Sequence, residues 1–123
     1  MLEMRKATST NALNATELYE TCGMAIALRI LGGRWKPGII WHLGHRRMRY
    51  SELKALIPNI SERMLVQQLK ELEKHGFVER FVFPEVPPRV EYALTEEGKT
   101  LVPIVRSLAA WGNTQREKIK LPV

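Results

Sequence analysis

Apolar residues recur along this chain at two spacings, and the places where the period changes mark its elements. In "ELYETCGMAIALRILGG", Met24, Leu28 and Leu31 stand at helical spacing from Thr16 onward, and Gly32-Gly33 stops the run. "RWKPGIIWHLGH" reads as a short apolar helix that carries Pro37 in its first turn and ends at Gly44. "MRY" is a very short extended piece. Ser51 suits the N-cap of "ELKALI", with Leu53, Leu56 and Ile57 facing inward and Pro58 ending the helix. A tight turn then leads to Ser61, which caps "ERMLVQQLKELEKHG", the clearest helix in the chain. Its Leu65, Leu69 and Leu72 make a core stripe, and Gly76 closes it. The period falls to two in "FVERFVF", where Phe77, Glu79, Phe81 and Phe83 alternate with Val78, Arg80 and Val82. "RVEYALT" is its antiparallel partner, joined through a tip that holds Pro84, Pro87 and Pro88. Thr95 caps a last long helix with a stripe of Leu101, Ile104, Val105, Leu108 and Trp111, bent at Pro103. Residues 1–15 show no clear period and read as a loose arm or a marginal helix. The folded domain spans 16–117, and 118–123 form a tail.

Two short helices around a tight turn, followed by a hairpin, predict a mainly α fold with a small β-hairpin wing: a winged helix-turn-helix. A glycine-rich phosphate loop and a strand-turn-helix nucleophile motif are both missing from the sequence, so an enzyme is not expected. No apolar run reaches membrane-spanning length, which predicts no membrane association and a cytoplasmic, nucleoid-associated protein.

Charge sharpens this picture through its placement. The chain carries a net +6. Between Arg29 and Arg63 stand eight Arg/Lys against Glu52 and Glu62, while the remainder of the chain balances. One basic region on a neutral body points to a polyanion, with double-stranded DNA the expected partner.

On the clearest helix, Arg63, Gln67, Lys70 and Lys74 lie opposite the leucines. Arginine pairs bidentately with guanine and glutamine with adenine, whereas lysine mostly serves phosphates. In this motif the first half of the second helix reaches base edges. Ser61, Arg63 and Gln67 are therefore assigned to the groove, with Gln68 a weaker candidate and Lys70 at the backbone. Arg46, Arg47 and Arg49 make a phosphate clamp just before the motif. At the wing, Pro87 and Pro88 limit the entropy that docking would cost, and Arg89 is expected to meet phosphates or the minor groove. The blander alternative is a proline-guarded strand edge with Arg89 solvated.

These blocks, in this order, resemble the HxlR-type regulators, relatives of the MarR class. The resemblance covers about residues 20–112 and rests on Cys22, "LGGRWKPGIIWHL", "RYSELKALIPNISERMLVQQLKELEKHGFVER", "PEVPPRVEYALTEEGKTL" and the "WG" at 111–112. It implies a homodimeric transcriptional regulator, dimerised through its N- and C-terminal helices, with two recognition helices straddling a palindromic operator. It also implies that some members sense electrophiles or oxidants through the cysteine that Cys22 matches. The residues support the dimer independently, since the last helix offers more apolar surface than a thin hairpin and two short helices can cover.

Cys22 is the chain's one cysteine, so an internal disulfide is ruled out. Two readings stay open for it: a small residue packed at a dimer interface, or a reactive thiol near a helix N-terminus that senses an electrophile or oxidant, with a small ligand as the alternative effector of the protein. His42, His45 and His75 do not make a metal site on their own, and neither a metal nor a cofactor is expected. Trp35, Trp41 and Trp111 read as core and interface anchors, or as the lining of an effector cavity. The rivals to a regulated DNA binder are a constitutive one with a structural Cys22, and a protein–protein adaptor that uses the winged surface without DNA.

Overall fold

The computed structural model describes residues 22–119, and the chain divides into two compact units at Gly32/Gly33. The first unit contributes helix α1 (Gly23–Leu31), which is entered from Cys22 in extended conformation. Residues 16–21, where the sequence also predicts helix, lie outside the described residues, as do the arm and the end of the tail. Of the apolar residues at helical spacing, Leu31 is buried, as is Ala25, whereas Met24 and Leu28 are exposed.

The second unit holds α2 (Lys36–Leu43), β1 (Met48–Arg49), α3 (Tyr50–Leu56), α4 (Glu62–Lys74), β2 (Val78–Phe83), β3 (Arg89–Leu94), α5 (Glu96–Lys99) and α6 (Val102–Ile119). Its core gathers side chains from nearly all of these. Ile39, Ile40, Leu53, Leu65, Leu69, Leu72 and Val78 are essentially inaccessible to solvent. The predicted leucine stripe of α4 is thus its buried face. Pro37 sits in the first turn of α2, where a missing amide hydrogen costs nothing.

The turn between α3 and α4 depends on Asn59, the one described non-glycine residue with positive φ, a conformation that Asn tolerates better than most residues. Ser61 then caps α4, its Oγ accepting the Met64 amide at 3.0 Å. At the other end Gly76 takes φ +84°. The Phe77 amide donates to the Leu72 carbonyl and that of Gly76 to Glu73, the pair of bonds that terminates a helix on a left-handed residue.

The very short extended piece expected at "MRY" is β1, and it joins the hairpin: the sheet has three strands, in the order β1-β3-β2, because Met48 and Arg49 pair with Tyr92 and Glu91. Three expectations need correction. Helix α3 starts at Tyr50, so Ser51 lies inside it. The cap is made instead by the Glu52 carboxylate, which accepts the Arg49 amide at 2.8 Å. Leu56 is exposed, and Leu53 and Ile57 alone face the core. Finally, the long last helix is two. Thr95 caps only the four-residue α5, and a turn at Thr100–Leu101 precedes α6, where Pro103 falls in the first turn.

Thr95 also ties the end of the sheet to its beginning. Its hydroxyl donates to the Gly76 carbonyl at 2.6 Å and its amide to the Phe77 carbonyl at 3.1 Å. Gly98 closes this junction, since a Cβ there would lie 2.0 Å from the Phe77 carbonyl oxygen.

Candidate nucleic-acid interface

Helix α4 has three sides with different neighbours. Its leucines face the core. Arg63, Gln67, Lys70 and Lys74, opposite them, are exposed. A third side carries Met64, Gln68 and Glu71, which are only partly accessible. Ser61, Arg63 and Gln67 therefore stand on the exposed first half of the helix, as their assignment to a groove requires. Gln68 is turned to the flank, with its amide donating to the Met64 sulfur at 3.4 Å. The Ser61 hydroxyl accepts the capping bond from the Met64 amide.

A brace holds the two helices of the motif together. The Tyr50 hydroxyl donates to the Glu62 carbonyl at 3.3 Å, joining the first residue of α3 to the first of α4. Burial pushes the Tyr50 phenol above its ordinary value, and Glu62 and Tyr92 add to this, so it remains a donor at neutral pH.

Between α4 and the wing lies an open groove of about 780 Å³. Val66 and Lys70 line it from the helix, Arg80 from β2, and Val86, Pro87 and Pro88 from the tip. Arg80 is a cation that the sequence reading left unassigned. Its place on the alternating pattern of β2, on the same face as buried Val78, was the available signal.

The other face of the sheet carries a lattice of guanidinium, aromatic and carboxylate groups. Arg47 stacks on Phe81 at 3.8 Å from the ring centroid, and its Nε donates to Glu91 Oε1 at 2.7 Å. Arg89 stacks on Phe83 at 4.1 Å, with Nη2 3.1 Å from Glu85 Oε2 and Nε 3.1 Å from Glu91 Oε2. Two carboxylates and a ring thus hold Arg89 back against the wing, which differs from the open presentation expected of it. Pro87 and Pro88 are exposed, and the Val86–Pro87 bond is cis.

The three arginines before the motif are also distinct from one another. Arg46 pairs with Glu52 at 3.0 Å, and this bond is the main cause that holds the Glu52 carboxyl below its ordinary range. Arg47 spends only Nε internally. Arg49 is exposed at the rim of the groove. Lys36, counted by sequence in the basic region, is buried and bonded to Glu71. That bond, followed by one from Gln67, lowers the Glu71 carboxyl from its usual value.

The apolar stripe predicted for the last helix splits. Leu101 and Val105 are buried within the chain itself, so they are not available to a partner, while Ile104, Leu108 and Trp111 are exposed. Cys22 is exposed at the start of α1. Among the described residues no cluster of three His, Cys, Asp or Glu could hold a metal ion. His42 is drawn below its ordinary value, first by burial and then by His45. No described helix is long and apolar enough to cross a membrane.

Residues 30–120 match the model of the HxlR-like helix-turn-helix. The HTH-type transcriptional regulator YtcD of Bacillus subtilis (strain 168) is 52% identical over 85 residues, which cover 69% of this chain and 68% of that protein. The solved structure of the redox regulator HypR in its reduced form aligns with TM-score 0.74 and 41% identity over 79% of this chain and 96% of that one. A structure from Porphyromonas gingivalis W83 assigned to the MarR family aligns with TM-score 0.73 and 43% identity, covering 76% and 91%.

Proposed function

The chain belongs to the HxlR-like helix-turn-helix family of transcriptional regulators, and on that premise we propose that it acts as a homodimer on a palindromic operator. The exposed face of α4 carries this reading. Arg63 and Gln67 stand on it opposite a fully buried leucine stripe, which supports their assignment to a DNA groove. Arg63 and Gln67 take the base edges, Ser61 supports them at the helix start, and Lys70, Arg47 and Arg49 take phosphates. Gln68, on the flank, has a lesser part. Arg89, Pro87 and Pro88 shape the wing that lies beside the backbone.

Exposed apolar side chains support the dimer. Met24, Ile26 and Leu28 on α1 and Ile104, Leu108 and Trp111 on α6 are surfaces that a second copy would cover. Regulation through Cys22 is supported by its exposure at a helix start and by the likeness to HypR, a redox regulator. With one cysteine per chain, oxidation by diamide would join two subunits. The two thiols would lose two electrons and two protons to the diazene, whose N=N bond would be reduced.

The test is a mobility-shift titration with the region upstream of the protein's own transcription unit, run over a salt series with and without diamide. Specific retention with steep salt dependence, altered by diamide in the wild type but not in Cys22→Ser, is the expected result. Absence of specific retention would overturn DNA regulation by this surface. An equal diamide response in Cys22→Ser would remove the thiol switch and leave a constitutive binder.

A further inference from the structure

Lys36 is the one buried charged side chain among the described residues, 7% exposed, and its position in the first turn of α2 gives it no obvious part in a surface function. Its ammonium donates to Glu71 Oε1. The other oxygen of the same carboxylate, Oε2, accepts from Gln67 Nε2 at 3.3 Å, one turn back along α4. A single carboxylate therefore joins the start of α2 to a residue on the exposed face of α4.

The chemistry of the carboxylate fixes what Gln67 can offer. An ionised Glu71 is an acceptor only, so it binds the NH2 group of the Gln67 amide and turns Oε1 away. Lys36 anchors the ionised carboxylate through Oε1, and this bond is the first cause of the lowered pKa of Glu71. The remaining N–H and Oε1 of Gln67 then form an outward donor–acceptor edge. That is the edge a glutamine uses on adenine N7 and N6. Lys36 also offsets a negative charge that would otherwise stand close to the phosphates.

We propose that Lys36 and Glu71 are positioning residues that set the donor–acceptor edge Gln67 presents, so that base preference at one operator position depends on a contact from α2. This rests on the reading that Gln67 faces a base, and the variants separate the two. Glu71→Gln leaves Lys36 an amide oxygen to bond, and the NH2 group of the substituted side chain then faces Gln67. Gln67 must turn its Oε1 inward to accept from it, so the outward donor–acceptor edge is lost.

Operators substituted at each position are titrated with wild type, Gln67→Ala, Glu71→Gln and Lys36→Met. Gln67→Ala and Glu71→Gln are expected to lower discrimination at the same base pair, by about tenfold, the order of one bidentate contact. The salt slope stays unchanged, since no phosphate contact is lost. A merely structural role would weaken all sequences alike and leave the ratio intact. Lys36→Met leaves the carboxylate ionised but unanchored, and should lower discrimination at the same base pair less than Glu71→Gln. Should it fail to fold, the side-chain amide resonances of Gln67 in the free protein serve instead, and they should shift in Glu71→Gln. If Gln67→Ala changes preference at one base pair while Glu71→Gln keeps the wild-type ratio, the positioning inference is overturned and the Gln67 reading stands. If Gln67→Ala changes nothing at any position, the reading itself fails and takes the inference with it.

Discussion

Ser61 stands where stability and DNA binding can be separated by one side chain. Its Oγ accepts the Met64 amide at 3.0 Å, one of the four amides that a helix start leaves unpaired. Ser61→Ala removes that acceptor and should cost about 1 kcal/mol. For a domain of this size that lowers Tm by roughly 4–8 °C. Ser61→Asp keeps an acceptor and adds a negative charge at the positive end of α4, worth about 0.3–1 kcal/mol in favour of the helix. Its Tm should equal or exceed that of wild type. Toward DNA the same charge is repulsive. At about 4 Å from a phosphate it costs about 1 kcal/mol if fully solvated and about 4 kcal/mol at an effective dielectric of 20. That is a loss of roughly fivefold to a thousandfold per protomer. Thermal unfolding and fluorescence anisotropy on a labelled operator measure the two effects side by side. The expected order is Asp above Ala in Tm and Ala above Asp in affinity. A Ser61→Asp protein with wild-type operator affinity would refute the placement of this helix start against DNA.

Trp111 is 66% exposed on α6, and covering that exposed surface in a second copy is worth about 3 kcal/mol per tryptophan. Trp111→Ala should therefore raise the dimer Kd at least a hundredfold in analytical ultracentrifugation; a monomeric wild type would contradict the stripe's role. Arg47→Ala should reduce the slope of log K against log salt by about one per protomer, whereas Arg89→Ala, whose charge is held by Glu85 and Glu91, should change thermal stability more than slope. Equal slope changes would refute that division. Glu52 is held below its ordinary value by Arg46, so its contribution is present above the unfolded pKa and is lost as pH falls through the folded one. Urea unfolding at descending pH should show a shallower loss of stability below about pH 4.5 in Glu52→Gln than in wild type.

The parts of this fold that sequence discloses are those set by period and by local caps. The leucines of α4 repeat on a face, Ser61 and Gly76 bound the helix by groups within a few residues, and the wing alternates. What sequence conceals depends on partners far along the chain. Counting charges from Arg29 to Arg63 gives a basic surface, yet Lys36 is buried on Glu71, Arg46 holds Glu52, and Arg47 is shared with Glu91 from β3. Arg89 is adjacent to a stiff proline tip, and its retention by two carboxylates follows from the β2–β3 pairing that sets Phe83 opposite it. The stripe predicted for the last helix is wider than one interface, so spacing alone could not divide Leu101 and Val105, which serve the chain's own core, from Ile104, Leu108 and Trp111.

The central claim is that the exposed face of α4 reads sequence, and selection of binding sites from a random duplex pool tests it most directly. Wild-type protein should enrich an inverted repeat with half-site centres about one helical turn apart. Arg63→Ala should enrich the same repeat with one position of each half-site relaxed. A wild-type pool with no enriched motif, or an Arg63→Ala motif identical to that of wild type, would contradict it.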